Sequence, residues 1–173
     1  YDVRIEHISG NLTDHYDPSN KVLRLSDSVY GSTSVAAIGV AAHECGHAVQ
    51  HQVGYAPLSI RSALVPVANF GSSLSWPIFV AGLIFSIGPL LDIGIILFLA
   101  AVLFQVVTLP VEFNASARAI RLLDSCGILG QQEIGGTKKV LTAAALTYVA
   151  SLAASILQLL RLLILAGGRR RND

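Results

Sequence analysis

The sequence predicts a mainly α-helical membrane protein with a short N-terminal β element and a transmembrane helical hairpin. Of its 173 residues, 53% are hydrophobic and only 13% are charged, whereas soluble domains carry about 25% charged residues. Between Arg61 and Glu112 the single charged residue is Asp92. The charges concentrate instead near the N-terminus, where apolar and polar residues partly alternate as they do in half-buried strands.

The length suits one domain, and we predict a single membrane-integrated domain over residues 1–173. Twelve basic and 11 acidic residues give a net charge of +1, which argues against a nucleic-acid partner. The two cysteines cannot form a disulfide framework. Because the chain contains no methionine, we expect it to be part of a longer protein.

Residues 1–31 are predicted to be a strand-rich edge. Val3–Glu6 and Val22–Leu25 show partial alternation of apolar and polar residues, and the turn-rich segment SGNLTDHYDPSN connects them. We therefore expect two short strands before the first helix. That helix is predicted over residues 32–53, with a serine or threonine of the segment Ser32–Ser34 as its N-cap and Gly54 as its left-handed end.

The middle of this helix carries the pattern H-E-x-x-H, formed by His43, Glu44 and His47. Residues four apart lie on one face of a helix, so both imidazoles can bind one metal ion. One zinc ion suits this pair, with a third protein ligand and a water completing the site. Zinc lowers the pKa of such a water to about 7, and Glu44 is placed to accept its proton. The alternative is a pair of exposed surface histidines.

Two long uncharged runs follow, Ser62–Leu91 and Ile93–Val111. Each is long enough to cross a hydrocarbon core, which takes roughly 20 helical residues. We predict a transmembrane hairpin over residues 66–110, with helices at about 66–88 and 92–110. The alternative, two helices buried in a soluble core, requires more polar surface than this short chain offers.

The third metal ligand has two candidates. His51 lies on roughly the same helix face as His43, but it is a further turn away. Glu112 begins a predicted helix over residues 111–126, directly after the hairpin. Since two crossings return the chain to the side on which it started, Glu112 can reach the metal. A carboxylate at a membrane edge is also hard to explain without a partner, so Glu112 is the preferred ligand.

Residues 138–166 are predicted to form a C-terminal apolar helix, interrupted by Arg161. It either spans the membrane or lies partly in the interface. Five basic residues lie on the metal side of the hairpin, and by the positive-inside rule they place the metal-binding face in the cytoplasm: Arg61, Arg118, Arg121, Lys138 and Lys139. If the last helix also spans the membrane, Arg169–Arg171 lie outside the cell, which conflicts with the rule. The conflict has two solutions: this helix does not cross, or the orientation is reversed.

Five features together resemble one family: the segments HYDPSNKVLRLS and AAHECGHAVQHQ, the uncharged hairpin, and the segments FQVVTLPVEFNASARA and KKVLTAAALTYVA. Across essentially the whole chain they are similar to the YugP-type neutral zinc metallopeptidase family of bacterial membrane proteins. More distantly, the layout resembles the HtpX-type and CAAX-prenyl membrane proteases, which share the gluzincin plan.

This resemblance implies a zincin-like metallopeptidase fold in a bacterial plasma membrane. It makes His43, His47 and Glu112 zinc ligands and Glu44 the general base. It also implies an apolar segment that precedes the chain. In gluzincins an edge strand beside the metal helix pairs with extended substrate, and Val22–Leu25 is the candidate for that strand.

Two features depart from the family pattern. Relatives often carry an aspartate four residues after the glutamate ligand, where this chain has Ser116, with Asn114 nearby. Either side chain can form a hydrogen bond, but neither replaces the charge. The group that stabilises the oxyanion is not identified by the sequence, which offers several residues of suitable chemistry: His7, His15, Tyr16, Tyr30 and Tyr55.

The expected function is that of a membrane-bound zinc-dependent endopeptidase acting on membrane or membrane-proximal proteins, with a peptide or protein substrate and the lipid bilayer as its partners. The alternative is a catalytically weak, metal-binding membrane scaffold or chaperone-like protein. An intact Glu44 disfavours it, because a scaffold needs no base at that position. A transporter accessory is disfavoured because the predicted spans hold almost no polar residues.

Overall fold

The structure is a computed structural model that describes residues 2–170. Over these residues the chain forms three short strands followed by four helices: β1 (Arg4–His7), β2 (His15–Asp17), β3 (Val22–Leu25), α1 (Val35–Gln52), α2 (Ala56–Ile84), α3 (Gly88–Ser125) and α4 (Gln131–Arg170). The predicted mainly α fold with a short N-terminal β element is confirmed.

The chain divides into two compact units, each built from two separate segments. The first unit contains Tyr1–Ser59 and Pro110–Thr147, and the second contains Ile60–Leu109 and Tyr148–Asp173. The three strands, the histidine helix α1 and the residues that follow Pro110 therefore belong to the first unit. This unit holds all the residues that were predicted to bind metal.

The sheet of the first unit has the strand order β1-β3-β2. β3 pairs in parallel with β1 and antiparallel with β2, with Tyr16 opposite Leu23. The additional strand β2 lies within the connection that was predicted to be only turns, since three residues are too few to show alternation. β3 is central and largely buried. The expectation that Val22–Leu25 is an edge strand is therefore wrong, and β2 and β1 form the edges.

Helix α1 packs one face on this sheet, where Ala37 joins Leu23, Leu25 and Val29 in a buried cluster. Its N-cap is Ser34, whose hydroxyl accepts a hydrogen bond from the backbone N–H of Ala37 at 3.2 Å. This cap lies within the predicted range. Just beyond the helix, Gly54 adopts a φ of 64°, the left-handed conformation that commonly follows a helix end.

The opposite face of α1 packs against α3 and α4, through Ala42, Ala119, Leu123 and Leu141. The two helices α1 and α3 come so close at Gly46 that a side-chain carbon there would overlap the backbone carbonyl of Ala115. A residue without a Cβ at this crossing allows the histidine helix to lie directly against the helix that carries Glu112.

Helix α3 runs without a break through Pro110. The helix predicted over 92–110 and the glutamate helix predicted over 111–126 are therefore a single element. A proline inside a helix removes one backbone hydrogen bond, yet Val111 and Ala115 just beyond it are completely buried. Packing of this segment in the first unit outweighs the lost hydrogen bond.

The second unit is built from apolar helices. Helix α2 begins at Ala56, well before the predicted start at about 66, and continues through Pro66 and Pro77. Pro57 lies in the first turn of this helix. Proline is tolerated there, because backbone N–H groups of the first turn have no partner within the helix. The buried core of this unit contains Phe79, Leu91, Leu162 and Ala166.

Within the described residues, three helices are long and apolar enough to cross a membrane: Ala56–Ile84, Gly88–Ser125 and Gln131–Gly168. The first two contain the predicted hairpin, and the third contains the predicted C-terminal helix over 138–166. By length and composition α4 qualifies as a span. The segment 169–171, on which the conflict over orientation depends, lies outside the residues whose side chains the structure describes, so the cytoplasmic orientation stays a prediction.

Candidate metal centre

Three side chains from two distant parts of the sequence converge in the first unit. The potential ligand atoms of His43, His47 and Glu112 all lie within 4.8 Å of one another. Glu112 Oε2 is 3.1 Å from His43 Nε2 and 3.6 Å from His47 Nε2. Ligands placed at 2.0–2.1 Å around a tetrahedral zinc are separated by about 3.4 Å. The donor set and its spacing therefore fit one zinc ion.

The burial of these groups supports the same conclusion. Glu112 is only 3% exposed and His47 only 8%, and a buried carboxylate requires a cationic or hydrogen-bonding partner. Burial by itself lowers the pKa of His47, but the hydrogen bond and the negative charge of Glu112 outweigh it, so the pKa lies above its ordinary value. In the structure the Glu112 carboxylate stabilises both imidazoles, and the three side chains are held close enough together to bind one metal ion.

The remaining ring nitrogens of both histidines have partners. His43 Nδ1 lies 3.1 Å from Ser116 Oγ, and His47 Nδ1 lies 3.0 Å from Gln50 Oε1. When Nδ1 is protonated, it donates a hydrogen bond to these oxygens, and Nε2 keeps its lone pair for a metal ion. Ser116, at the position where relatives often have aspartate, thus orients His43 through a hydroxyl instead of a carboxylate.

Gln50 is a functional residue that sequence reasoning missed. It is completely buried, and its amide nitrogen donates hydrogen bonds to Val111 O at 2.8 Å and Asn114 Oδ1 at 3.0 Å. Gln50 therefore connects His47 with the turn of α3 that carries Glu112. The available signal was its position three residues after His47, which puts a polar side chain on the metal-binding face of the helix.

Replacing Gln50 with leucine should weaken zinc binding by about 10–100-fold, the usual effect of removing an outer partner of a ligand histidine. The reason is that His47 loses its acceptor while the carbonyl of Val111 loses its donor. Gln52→Leu is the matched control, because Gln52 is on the same helix but exposed. Competition with a chromogenic chelator measures both affinities, and equal values for the two variants would contradict this role of Gln50.

Glu44 lies next to His43 in the same helix and is 8% exposed. Burial raises the pKa of its carboxyl above the ordinary value, against the opposing effect of His47 and His43. The carboxylate also forms a hydrogen bond with the backbone of Tyr16, which lies in β2. A carboxylate with a raised pKa thus lies beside the potential ligands and in contact with an edge strand of the sheet.

His51, the alternative third ligand, is placed differently. Its Nδ1 lies 2.9 Å from the hydroxyl of Tyr16, and it is not part of the group of three potential ligands. Tyr16 is one of the oxyanion candidates, and its backbone bonds to Glu44 while its hydroxyl bonds to His51. Elsewhere in the sheet, His7 pairs with Asp27 at 2.7 Å, with the ring of Tyr30 beside it.

The fold and the site together define a mainly helical protein with long apolar helices and a potential His/His/Glu metal centre. Residues 1–167 match the family described as "Putative neutral zinc metallopeptidase", and the chain belongs to this family. It is 50% identical over 173 residues to the "Putative membrane protease YugP" of Bacillus subtilis (strain 168). The matched region covers 99% of this chain and 77% of that protein. The family resemblance seen in the motifs is thereby confirmed.

No solved structure gives a significant match to the chain. The zincin-like part of the predicted fold class consequently stays a prediction. It depends on the arrangement of α1 and α3 around the three ligands.

Proposed function

We propose that this protein is a membrane-bound zinc-dependent endopeptidase that hydrolyses peptide bonds of membrane or membrane-proximal proteins. The observation that carries the proposal is the convergence of His43, His47 and Glu112 beside the buried carboxylate of Glu44. Membership of a zinc metallopeptidase family and the name of the Bacillus subtilis relative support the same function.

In the proposed mechanism His43, His47 and Glu112 hold one zinc ion. When bound, the zinc would supply a Lewis acid that polarises the scissile carbonyl and lowers the pKa of a water. Glu44 accepts the proton of the attacking water and then delivers it to the leaving amine. Its position suits this role, because Glu44 is only 8% exposed and directly follows His43, one of the proposed zinc ligands, in the helix.

The outer edge of β2 is the place where we propose that substrate backbone binds. Among the described residues, β2 pairs only with β3 and is an edge strand of the sheet, and Tyr16 at its centre contacts Glu44. An extended peptide that adds to this edge would be held next to the general base. Backbone pairing gives affinity with little side-chain selection, so we expect broad cleavage specificity.

We further propose that the enzyme is integral to the bacterial plasma membrane with its catalytic face in the cytoplasm. The three candidate spans support an integral membrane protein. The basic residues next to the metal-binding segments support the cytoplasmic face through the positive-inside rule. Substrates would then be cleaved close to the inner surface of the bilayer.

Removal of metal tests the proposed function directly. Incubation of the purified protein with 1,10-phenanthroline should abolish cleavage of an unfolded protein such as casein, and added zinc should restore it, because no residue of the chain replaces a Lewis acid. The isomer 1,7-phenanthroline, which does not chelate, is the matched control. Cleavage that persists after zinc has been removed, as verified by metal analysis, would refute a zinc-dependent peptidase.

A further inference from the structure

A cavity of about 370 Å³ lies between α3 and α4 within the first unit. Its volume falls within the range of small-molecule sites, about 300–1,000 Å³. One wall is apolar and includes Phe113, Ala117, Ile120 and Leu141. Ser116, which bonds to His43, lines the cavity as well, yet none of the three potential metal ligands does.

The polar part of the lining is cationic. Arg121 of α3 and Lys138 of α4 both border the cavity, and no acidic residue does so in the described part of the chain. The described contacts leave Lys138 without a hydrogen bond or ion pair, and Arg121 donates only its Nε–H, to Ala117 O at 3.2 Å. Two cations are therefore available to one ligand.

The position of the cavity along the two helices indicates what kind of ligand this is. In α3 the lining residues follow the uncharged segment Ile93–Val111, and in α4 they begin at Lys138, just before an uncharged segment that extends to Leu160. Basic pockets between helices at a membrane boundary bind anionic lipid headgroups. An apolar wall next to the two cations matches an acyl chain joined to a phosphate.

We propose that this cavity binds an anionic phospholipid, with the phosphate between Arg121 and Lys138 and an acyl chain against Phe113, Ala117, Ile120 and Leu141. The site is separate from the metal ligands and goes beyond the proposed peptidase activity. We expect an anionic lipid to be preferred over a zwitterionic one, because its net negative charge is attracted by two neighbouring basic side chains.

Lipid binding to the full chain in nanodiscs tests this proposal. The protein is inserted into discs of phosphatidylcholine, with or without added phosphatidylglycerol. Native mass spectrometry then identifies and counts the lipid molecules that the protein retains. Lys138→Gln and Arg121→Gln should each lower the apparent affinity for phosphatidylglycerol about fivefold, as expected for one basic residue at a lipid surface. Lys139→Gln is the matched control, since Lys139 is the exposed neighbour outside the lining, and Lys138→Arg should retain binding.

A second variant tests the apolar wall without any change of charge. Ala117 is exposed and lines the cavity, so Ala117→Phe should fill it and displace the lipid while zinc content stays unchanged. The proposal is overturned if wild type shows no preference for phosphatidylglycerol, if Lys138→Gln and Lys139→Gln bind equally, or if inorganic phosphate displaces the lipid. It is also overturned if Ala117→Phe retains lipid but changes cleavage preference, which would make the cavity a substrate pocket.

Discussion

Glu44→Gln should abolish peptide cleavage while leaving zinc bound. Glutamine keeps the size of the side chain and an oxygen that can accept the hydrogen bond from the backbone of Tyr16, but it cannot accept a proton. General acid–base catalysis by one positioned side chain contributes about 10²–10⁴-fold, so we expect a loss of that size in kcat/KM. Zinc content is measured on the same preparation, because His43, His47 and Glu112 are untouched.

Glu133→Gln is the control for this experiment. Glu133 lies in the first turn of α4, where its carboxylate accepts the N–H of Gly130 at 2.8 Å, and it is exposed. Its replacement should leave cleavage at the wild-type level. Equal cleavage by wild type and Glu44→Gln would exclude Glu44 as the base. Zinc binding without detectable cleavage by wild type would favour the metal-binding scaffold.

Glu112→Ala should lower zinc affinity by more than about 100-fold, beyond the 10–100-fold effect that follows loss of an outer partner. Glu112 Oε2 lies 3.1 Å from His43 Nε2 and 3.6 Å from His47 Nε2, so its removal takes away a proposed ligand and the only acidic member of this group of three residues. The zinc content of protein dialysed against a weak chelator measures this effect, and circular dichroism verifies that the helices are retained.

His51→Ala is the matched control, because His51 is the alternative ligand and contacts Tyr16 instead of the group of three. It should bind zinc like wild type. Zinc retained in Glu112→Ala and lost in His51→Ala would transfer the third position to His51. Loss in both variants would mean that the contact between His51 and Tyr16 supports the centre.

Features that depend on neighbouring residues could be read from the sequence. The pair His43 and His47 lies four residues apart, and helical periodicity alone puts the two imidazoles on one face. An N-cap within Ser32–Ser34, which the structure assigns to Ser34, the left-handed Gly54 and the long apolar helices likewise follow from local composition. Each of these predictions needed only the spacing, residue types and charge within one segment.

Membrane topology carried the prediction one step further. A hairpin that returns to its own side predicted that Glu112 could reach the histidine pair, of which His43 lies 69 residues earlier in the chain, and the structure places His43 and Glu112 in contact. The sequence did not indicate that α3 continues through Pro110, because the local preference of proline opposes it. Burial of Val111 and Ala115, which is a property of the packed unit, decided the outcome.

Only the tertiary structure determined the pairing partners. The order β1-β3-β2 makes β3 central, although its pattern does not distinguish an edge strand from a central one. Gln50 joins His47 to Val111, and Gly46 admits the backbone of Ala115. Residue spacing determines what one helix presents on each face, whereas the contacts between elements depend on how these faces pack together, and local periodicity carries no information about that.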